Sequence, residues 1–240
     1  MGDVLAYEGR DLEAMSFARN YHRWILELFE PYLGARLVEV GAGTGSFSEM
    51  LLARRPESLS LVEPSEMYRR LVERVGGLAT ATLVETYNDT FAGVAARLRR
   101  ERRPDSIIYV NVLEHIEDDE AELALVRETL APGGRVFLFV PALRWLYGSF
   151  DELVGHRRRY TRRELKAKCE AAGLRVVKSV YFDSAGVLPW WLKYRVLRSA
   201  RMEPGAVKLY DALCVPLLRR VEALAPPPAG KNVLLVAEKR

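Results

Sequence analysis

Apolar residues fall into two alternating rhythms along this chain. Short apolar runs at residues 36–40, 59–63, 81–85, 106–110, 135–140 and 174–181 read as strands. Between the first five, apolar residues recur at helical spacing over 46–55, 65–75, 89–101 and 118–130. Pro132-Gly133-Gly134 turns the chain into the fifth run, and Thr161 to Glu164 has the spacing of a capping box for a further helix that ends at Gly173. Strands alternating with helices predict a parallel, doubly wound α/β sheet with right-handed crossovers. Ligands on such sheets bind beyond the carboxyl ends of the strands.

Three stretches stand outside that alternation. Residues 11–30 carry Met15, Ala18, Tyr21, His22, Ile25 and Phe29 at helical spacing and stop at Pro31 and Gly34, which predicts an N-terminal helix. Residues 184–225 interleave Trp190, Trp191, Tyr194, Leu197, Leu209, Tyr210, Leu213 and Leu217 with Arg and Lys, and read as two helices joined near Pro204-Gly205. Pro226-Pro227-Pro228 is a stiff connector to a last strand within 231–239. The organisation is one domain: a helical cap over 1–34, a core over 35–183, a helical insertion over 184–229 and the final strand over 230–240.

Candidate chemistry concentrates at the strand ends. The first strand runs into Glu39-Val40-Gly41-Ala42-Gly43-Thr44-Gly45, a glycine turn that lets a ligand lie against bare backbone. Its spacing is G-x-G-x-G, with Ser46 where a dinucleotide-binding turn places its third glycine. Glu39 can accept hydrogen bonds from a cationic amine or hydroxyl. The second strand closes on Glu63, about twenty residues beyond the turn, where nucleoside-binding α/β proteins hold ribose hydroxyls. The fourth runs into Asn111-Val112-Leu113-Glu114-His115-Ile116.

Together these motifs resemble the class I S-adenosylmethionine-dependent methyltransferases, over roughly residues 17 to 182. The resemblance implies a Rossmann-like seven-stranded sheet whose last strand inserts antiparallel between strands 5 and 6. It implies S-adenosylmethionine as cofactor, held by Glu39, Gly41, Ala42, Gly43, Gly45, Glu63, Pro64, Met67, Asp89, Asn111, Val112 and Leu113. It places the N-terminal helix over the cofactor, so Tyr21 and Trp24 are candidates to cap the site.

Bulk properties narrow the partners. At 240 residues and 49% hydrophobic, the chain can bury a full core. A formal charge of +4, from 36 basic against 32 acidic residues, permits an anionic substrate without demanding nucleic acid. Cys169 and Cys214 show neither pairing nor metal spacing, and no cluster has metal-ligand spacing, so no metal and a reducing cytoplasm are expected. No signal peptide or transmembrane segment is expected. The run Arg97 to Arg103 lies at a helix C-terminus, on the sheet edge opposite the ligand, where cations complement the helix dipole; it reads as a solvated face.

The acceptor side is carried by residues 141–160. Some twenty residues without clear periodicity suggest a substrate loop. Its pattern L-Y-G-x-x-D-x-x-x-G-H-x-x-R-Y-T is similar to one in lipid- or natural-product-linked methyltransferases. Methyl transfer is an in-line displacement in which orientation contributes roughly 7–11 kcal/mol. A base is required only where the acceptor atom must lose a proton. His156, His115 and Tyr160 are the catalytic candidates, and Arg157, Arg158, Arg159 and Arg162 are candidates to grip a carboxylate or phosphate. The expected activity is methylation of a small molecule, anionic or lipid-like. The alternative is a methyltransferase-like module without turnover. The insertion is open to four roles: an added wall of the core, wall of the acceptor pocket, homodimer contact, or peripheral membrane contact.

Overall fold

The computed structural model describes residues 18–199 and 201–240. Seven strands form one sheet: β1 (Arg36–Val40), β2 (Ser58–Val62), β3 (Leu83–Tyr87), β4 (Ser106–Val110), β5 (Arg135–Pro141), β6 (Leu174–Phe182) and β7 (Asn232–Lys239). Their order is β3-β2-β1-β4-β5-β7-β6. The pairs β1–β2, β2–β3, β1–β4 and β4–β5 are parallel, whereas β7 runs antiparallel to both β5 and β6. This is the class I methyltransferase sheet, including the inserted last strand.

Alternation along each strand sends successive residues to opposite faces. Val38, Val40, Ile107, Tyr109, Val136 and Leu138 pack beneath α4 (Phe91–Glu101), α5 (Asp119–Thr129) and α7 (Arg162–Ala171). Leu37, Leu59, Leu61, Ile108, Phe137 and Phe139 pack against α1 (Arg19–Phe29), α2 (Ser46–Leu52) and α3 (Tyr68–Gly76). The sheet therefore has a full core on each side, as near-continuous apolar strands require.

Most elements begin within two residues of the sequence prediction, and the larger shifts have local causes. Helix α3 starts at Tyr68 rather than near 65, because the Ser65 amide donates to Glu63 Oε1 and the Met67 amide to Ser65 Oγ. Strand β3 starts at Leu83 rather than 81, because the Thr82 amide bends onto Thr80 Oγ1 and its hydroxyl onto the Pro56 carbonyl. Met15 and the predicted start of the N-terminal helix lie outside the described residues.

The 141–160 segment is more ordered than its sequence suggests. It holds a 3₁₀ turn (Arg144–Leu146) and the short α6 (Ser149–Leu153). Its ends are closed by the Tyr160 amide on the Pro141 carbonyl and the Leu143 amide on the Tyr160 carbonyl.

The insertion consists of α8 (Val187–Trp190), which continues as a π turn (Trp191–Val196), and a second helical run. That run comprises α9 (Pro204–Leu209), a π turn (Tyr210–Cys214) and α10 (Val215–Leu224). Pro204 opens the second run at its first turn, where a missing N–H costs nothing. Buried carboxylates fasten the insertion to the core. Asp183 takes Lys231 Nζ at 3.0 Å and the Tyr210 hydroxyl. Glu222 accepts from the amides of Asp183 and Ser184 and the Ser184 hydroxyl. Asp211 accepts the Asn20 and Tyr21 amides at 3.0 and 2.8 Å, satisfying two orphan donors of the first turn of α1 from a distant part of the chain.

Candidate active site

Backbone geometry builds the cofactor side. Gly41, Gly43 and Gly45 all have positive φ, at 69°, 55° and 82°. A Cβ on Gly41 would lie 2.4 Å from Val112 Cγ2, so the first glycine is required both by conformation and by the approach of the β4 loop. The amides of Gly41 and Ala42 donate to the Val62 carbonyl, and the Gly43 amide donates to Glu63 Oε2 at 2.7 Å. The turn is thereby tied to the end of β2.

Two buried carboxylates face this turn from β1 and β2. Burial pushes Glu39 up to about 8, and the nearby Glu63 charge adds to that; the Ser48 hydroxyl, donating at 2.5 Å, works against it. Glu39 therefore holds a proton at neutral pH until a cation arrives. Glu63 accepts two backbone N–H groups.

Strain gathers at the same edge. Asn111, Leu143 and Asp183 follow β4, β5 and β6 in the left-handed region, with φ of 54°, 62° and 60°. Non-glycine residues there cost of order 1–3 kcal/mol each.

Beyond β4 and β5, distant segments meet. Asp151 Oδ1 lies 2.7 Å from His156 Nδ1 and accepts from Arg159 Nε at 2.8 Å, while Asp151 Oδ2 accepts the Gly148 amide at 2.9 Å. Burial pushes the Asp151 carboxyl up, but the His156 hydrogen bond and the Arg159 charge outweigh it and hold it below the usual range. A carboxylate at Nδ1 fixes the proton there and leaves Nε2 as the basic nitrogen. That atom lies 3.7 Å from Glu114 Oε1.

Glu114 is wholly buried, and neither of its carboxylate oxygens has a hydrogen-bond partner among the described residues. Burial pushes it up to about 7, against the attraction of His156 and Arg159. The His115 ring lies 4.8 Å from that of His156. Burial drives His115 down to about 4, with His156 adding to the effect and a hydrogen bond to the Gly155 backbone opposing it. His115 is thus neutral at pH 7. Ligand atoms of Glu114, His115 and His156 lie within 4.8 Å of one another, a set that could hold a cation. Spacing gave no hint of this set, because it joins the end of β4 to the loop after β5.

Several sequence-predicted roles change. Tyr160 is fully buried and its hydroxyl donates to Asp119 Oδ2 at 2.8 Å; burial and that carboxylate raise its pKa, an arrangement that suits a structural strut. The arginines do not form a free anion grip. Arg159 is buried on Asp151, Arg158 pairs with Asp119, Arg157 donates to the His115 carbonyl, and Arg162 lies over the Tyr181 ring. Trp24 packs on Phe182 in the core. Tyr21 donates to Asn232 Oδ1 and faces a cavity on the β7 side rather than the glycine turn. The side chain of Leu113 is buried in the core, so only its backbone remains for a ligand. Pro64 and Met67 stay half-buried beside Glu63, and Asp89 is exposed beyond β3.

Sequence reasoning missed Lys231 and Asp183. Lys231 lies 5.1 Å from the Tyr21 ring centroid and 5.2 Å from that of Trp190. The cavity they border has a volume of about 200 Å³ and is walled mainly by apolar and aromatic groups, among them Trp190, Tyr194, Val207, Tyr210 and Val215. One contact joins it to the segment after β5, and α1 passes from its wall to the glycine turn. Arg159 lies over Trp190 at 5.0 Å, and His22, next to Tyr21, packs on Phe47 just past the glycine turn.

A glycine turn over two buried carboxylates, at the carboxyl edge of a sheet with this strand order, defines an S-adenosylmethionine-dependent methyltransferase. The chain belongs to the methyltransferase domain family, whose model matches residues 12–179. It is similar in fold to an S-adenosylmethionine-dependent methyltransferase from Archaeoglobus fulgidus, with 18% identity, a TM-score of 0.62, and 95% of this chain and 99% of that one covered. It is similar also to the cyclopropane synthase MmaA2 from Mycobacterium tuberculosis, with 14% identity, a TM-score of 0.57, and 100% and 87% covered. A phosphoethanolamine N-methyltransferase from Haemonchus contortus, in complex with S-adenosyl-L-methionine, matches with 17% identity, a TM-score of 0.62, and 100% and 60% covered. No curated protein is similar enough in sequence to match.

The residues present fit the cofactor: the turn exposes backbone where a Cβ at Gly41 would collide, and the carboxylates suit an ammonium and a ribose. Bound there, S-adenosylmethionine supplies an activated methyl group on a sulfonium.

Proposed function

We propose that this enzyme methylates a small-molecule acceptor of apolar, lipid-like character, and that the acceptor enters the cavity beneath the insertion. The carrying observation is that cavity. Its walls are mainly aromatic and aliphatic, Lys231 on its lining pairs with buried Asp183 behind it, and its lining runs from Tyr21 of α1 to Trp190, over which Arg159 lies. In this reading Glu39 and Glu63 hold the cofactor, the glycine turn fixes its methionine end, and Asn111 and Val112 border it. His156, oriented by Asp151, takes a proton or orients the acceptor through Nε2. His115 stays neutral beside it and packs the approach. Trp190 and Tyr194 exclude water from the reacting groups, which aligns the acceptor for in-line displacement.

The test is methyl transfer from labelled S-adenosylmethionine to fractionated small-molecule and lipid extracts. Label entering an apolar fraction, with Trp190→Ala raising the acceptor KM several-fold and leaving cofactor affinity unchanged, supports the reading. Label entering only water-soluble polar acceptors, with Trp190→Ala neutral, removes it.

A further inference from the structure

Ten of the fifteen large apolar side chains exposed among the described residues lie between Leu188 and Leu224. Their placement is periodic. On the second helical run Leu209, Leu213, Leu217, Val221 and Leu224 recur at intervals of four, four, four and three, each 53 to 89% exposed. Such spacing puts them on one stripe. The opposite side of the same run carries buried Asp211, Val215 and Glu222 and faces α1 and the cavity. The first run repeats the arrangement: Trp190 and Tyr194 face inward, while Leu188, Leu192 and Val196 face out. Soluble monomers rarely leave so much contiguous aliphatic surface bare.

Charge on this segment is one-sided. Arg195, Arg198, Arg201 and Arg220 are exposed, and none has a carboxylate within ion-pair distance among the described residues. Of the insertion's own carboxylates, Asp211 and Glu222 are buried. Glu203 is the exposed one, and it faces Lys193 at 3.8 Å.

From this we propose that the insertion docks the enzyme on an anionic lipid surface, the leucine stripe entering the headgroup boundary and the arginines pairing with lipid phosphates. An apolar stripe with a cationic surround is what an in-plane interfacial helix requires. The second run, at about 1.5 Å per residue, is roughly 30 Å long and can lie along the surface. No helix of the described residues is long and apolar enough to cross a membrane. A second copy of this chain is the poorer occupant, because a two-fold contact would set the same unpaired arginines against each other.

The docking stands apart from the nature of the methyl acceptor. One consequence does rest on the lipid-like reading above: the inner faces of the same two helices wall the cavity, so a membrane-resident acceptor has only the insertion to pass.

The experiment is co-flotation of the full chain with vesicles of pure phosphatidylcholine, and of phosphatidylcholine with about one-third phosphatidylglycerol. Binding to the anionic vesicles, weakening as salt is raised, is expected. The double variant Leu213→Asp, Leu217→Asp should lower partitioning by about a hundredfold, and Arg195→Glu or Arg220→Glu by about fivefold each. All four positions are exposed, so melting temperature and cofactor affinity should hold and separate lost docking from lost folding. Absence of binding at low salt overturns the proposal, as does equal binding to neutral vesicles. Sedimentation velocity covers the remaining occupant: a dimer that the double leucine variant dissociates assigns this face to a second copy and also overturns it. Methyl transfer to detergent-dispersed acceptor is read in parallel, so failure of docking and failure of the acceptor reading appear in different assays.

Discussion

The Gly43 amide donates to Glu63 Oε2 at 2.7 Å, joining the middle of the glycine turn to the end of the neighbouring strand. One carboxylate thus shapes the turn, and in the proposed reading its remaining lone pairs hold the cofactor's ribose. Glu63→Ala should weaken S-adenosylmethionine binding by about 1.5–3 kcal/mol, roughly tenfold or more by calorimetric titration. Glu63→Gln should fall between, because an amide keeps one acceptor for Gly43. Unchanged affinity in the alanine variant removes the ribose assignment.

Glu39 gives a pH dependence of unusual sign. Its ordinary value of 4.5 is raised to about 8 by burial, so between those limits the folded chain keeps a proton that the unfolded chain has lost. Its contribution to stability is fully present below about pH 4.5 and fades as pH rises through 8. Glu114, raised to about 7, acts in the same direction. Melting curves from pH 5 to 8 should show Glu39→Gln losing part of this decline. Cofactor affinity should rise over the same window, since an ammonium favours the ionised carboxylate. Parallel wild-type and variant profiles contradict both statements.

His156→Ala should cut turnover by roughly 10²-fold or more if Nε2 acts on the acceptor. Cofactor affinity should barely move. Asp151→Asn should do broader damage, because it also strips the partner from buried Arg159 and weakens the cap on the Gly148 amide. A loss of melting temperature in Asp151→Asn with little in His156→Ala separates the loop lock from the chemistry. If both variants keep full turnover, the pair has no part in the reaction.

Charge-neutral substitution of the basic run should leave turnover within about twofold. Arg97 pairs with Glu101, Arg99 with Glu128 and Arg102 with Glu85, and Arg103 donates to the carbonyls of Glu128 and Leu130. Arg99 and Arg103 reach the segment that precedes β5, at the amino-terminal edge of the sheet, while Arg97 lies over the Tyr87 ring on β3. A large loss of activity in a well-folded variant contradicts this.

Asp211→Ala should cost about 1–2 kcal/mol of stability, as removal of a helix cap does. It strands the amides of Asn20 and Tyr21 and loosens the insertion over α1. An unchanged melting temperature rules out this fastening role.

The sequence alone determined the strands, their alternation with helices and the cofactor edge, because those depend on local patterns; the place of the last strand was implied by the family resemblance, and the full strand order came with the structure. A run such as Leu37 to Val40 must be buried on both faces, Gly41-Ala42-Gly43-Thr44-Gly45 must turn, and Glu63 must close the next strand. It also exposed the acceptor segment through His156 and its neighbours. Only the tertiary structure decided what those neighbours do. Tyr160 is a catalytic candidate by its place beside His156, and only the fold shows its hydroxyl 2.8 Å from Asp119 and Arg159 buried on Asp151. The Glu114–His115–His156 cluster, the Lys231–Asp183 pair beside the cavity and the Asp211 cap on α1 all join residues distant along the chain. Burial and pairing of polar side chains arise from packing between elements, and no local spacing encodes which element will arrive. The leucines of the second helical run of the insertion make the same point: their sequence left core wall and surface contact open, and the fold turns them to the outside.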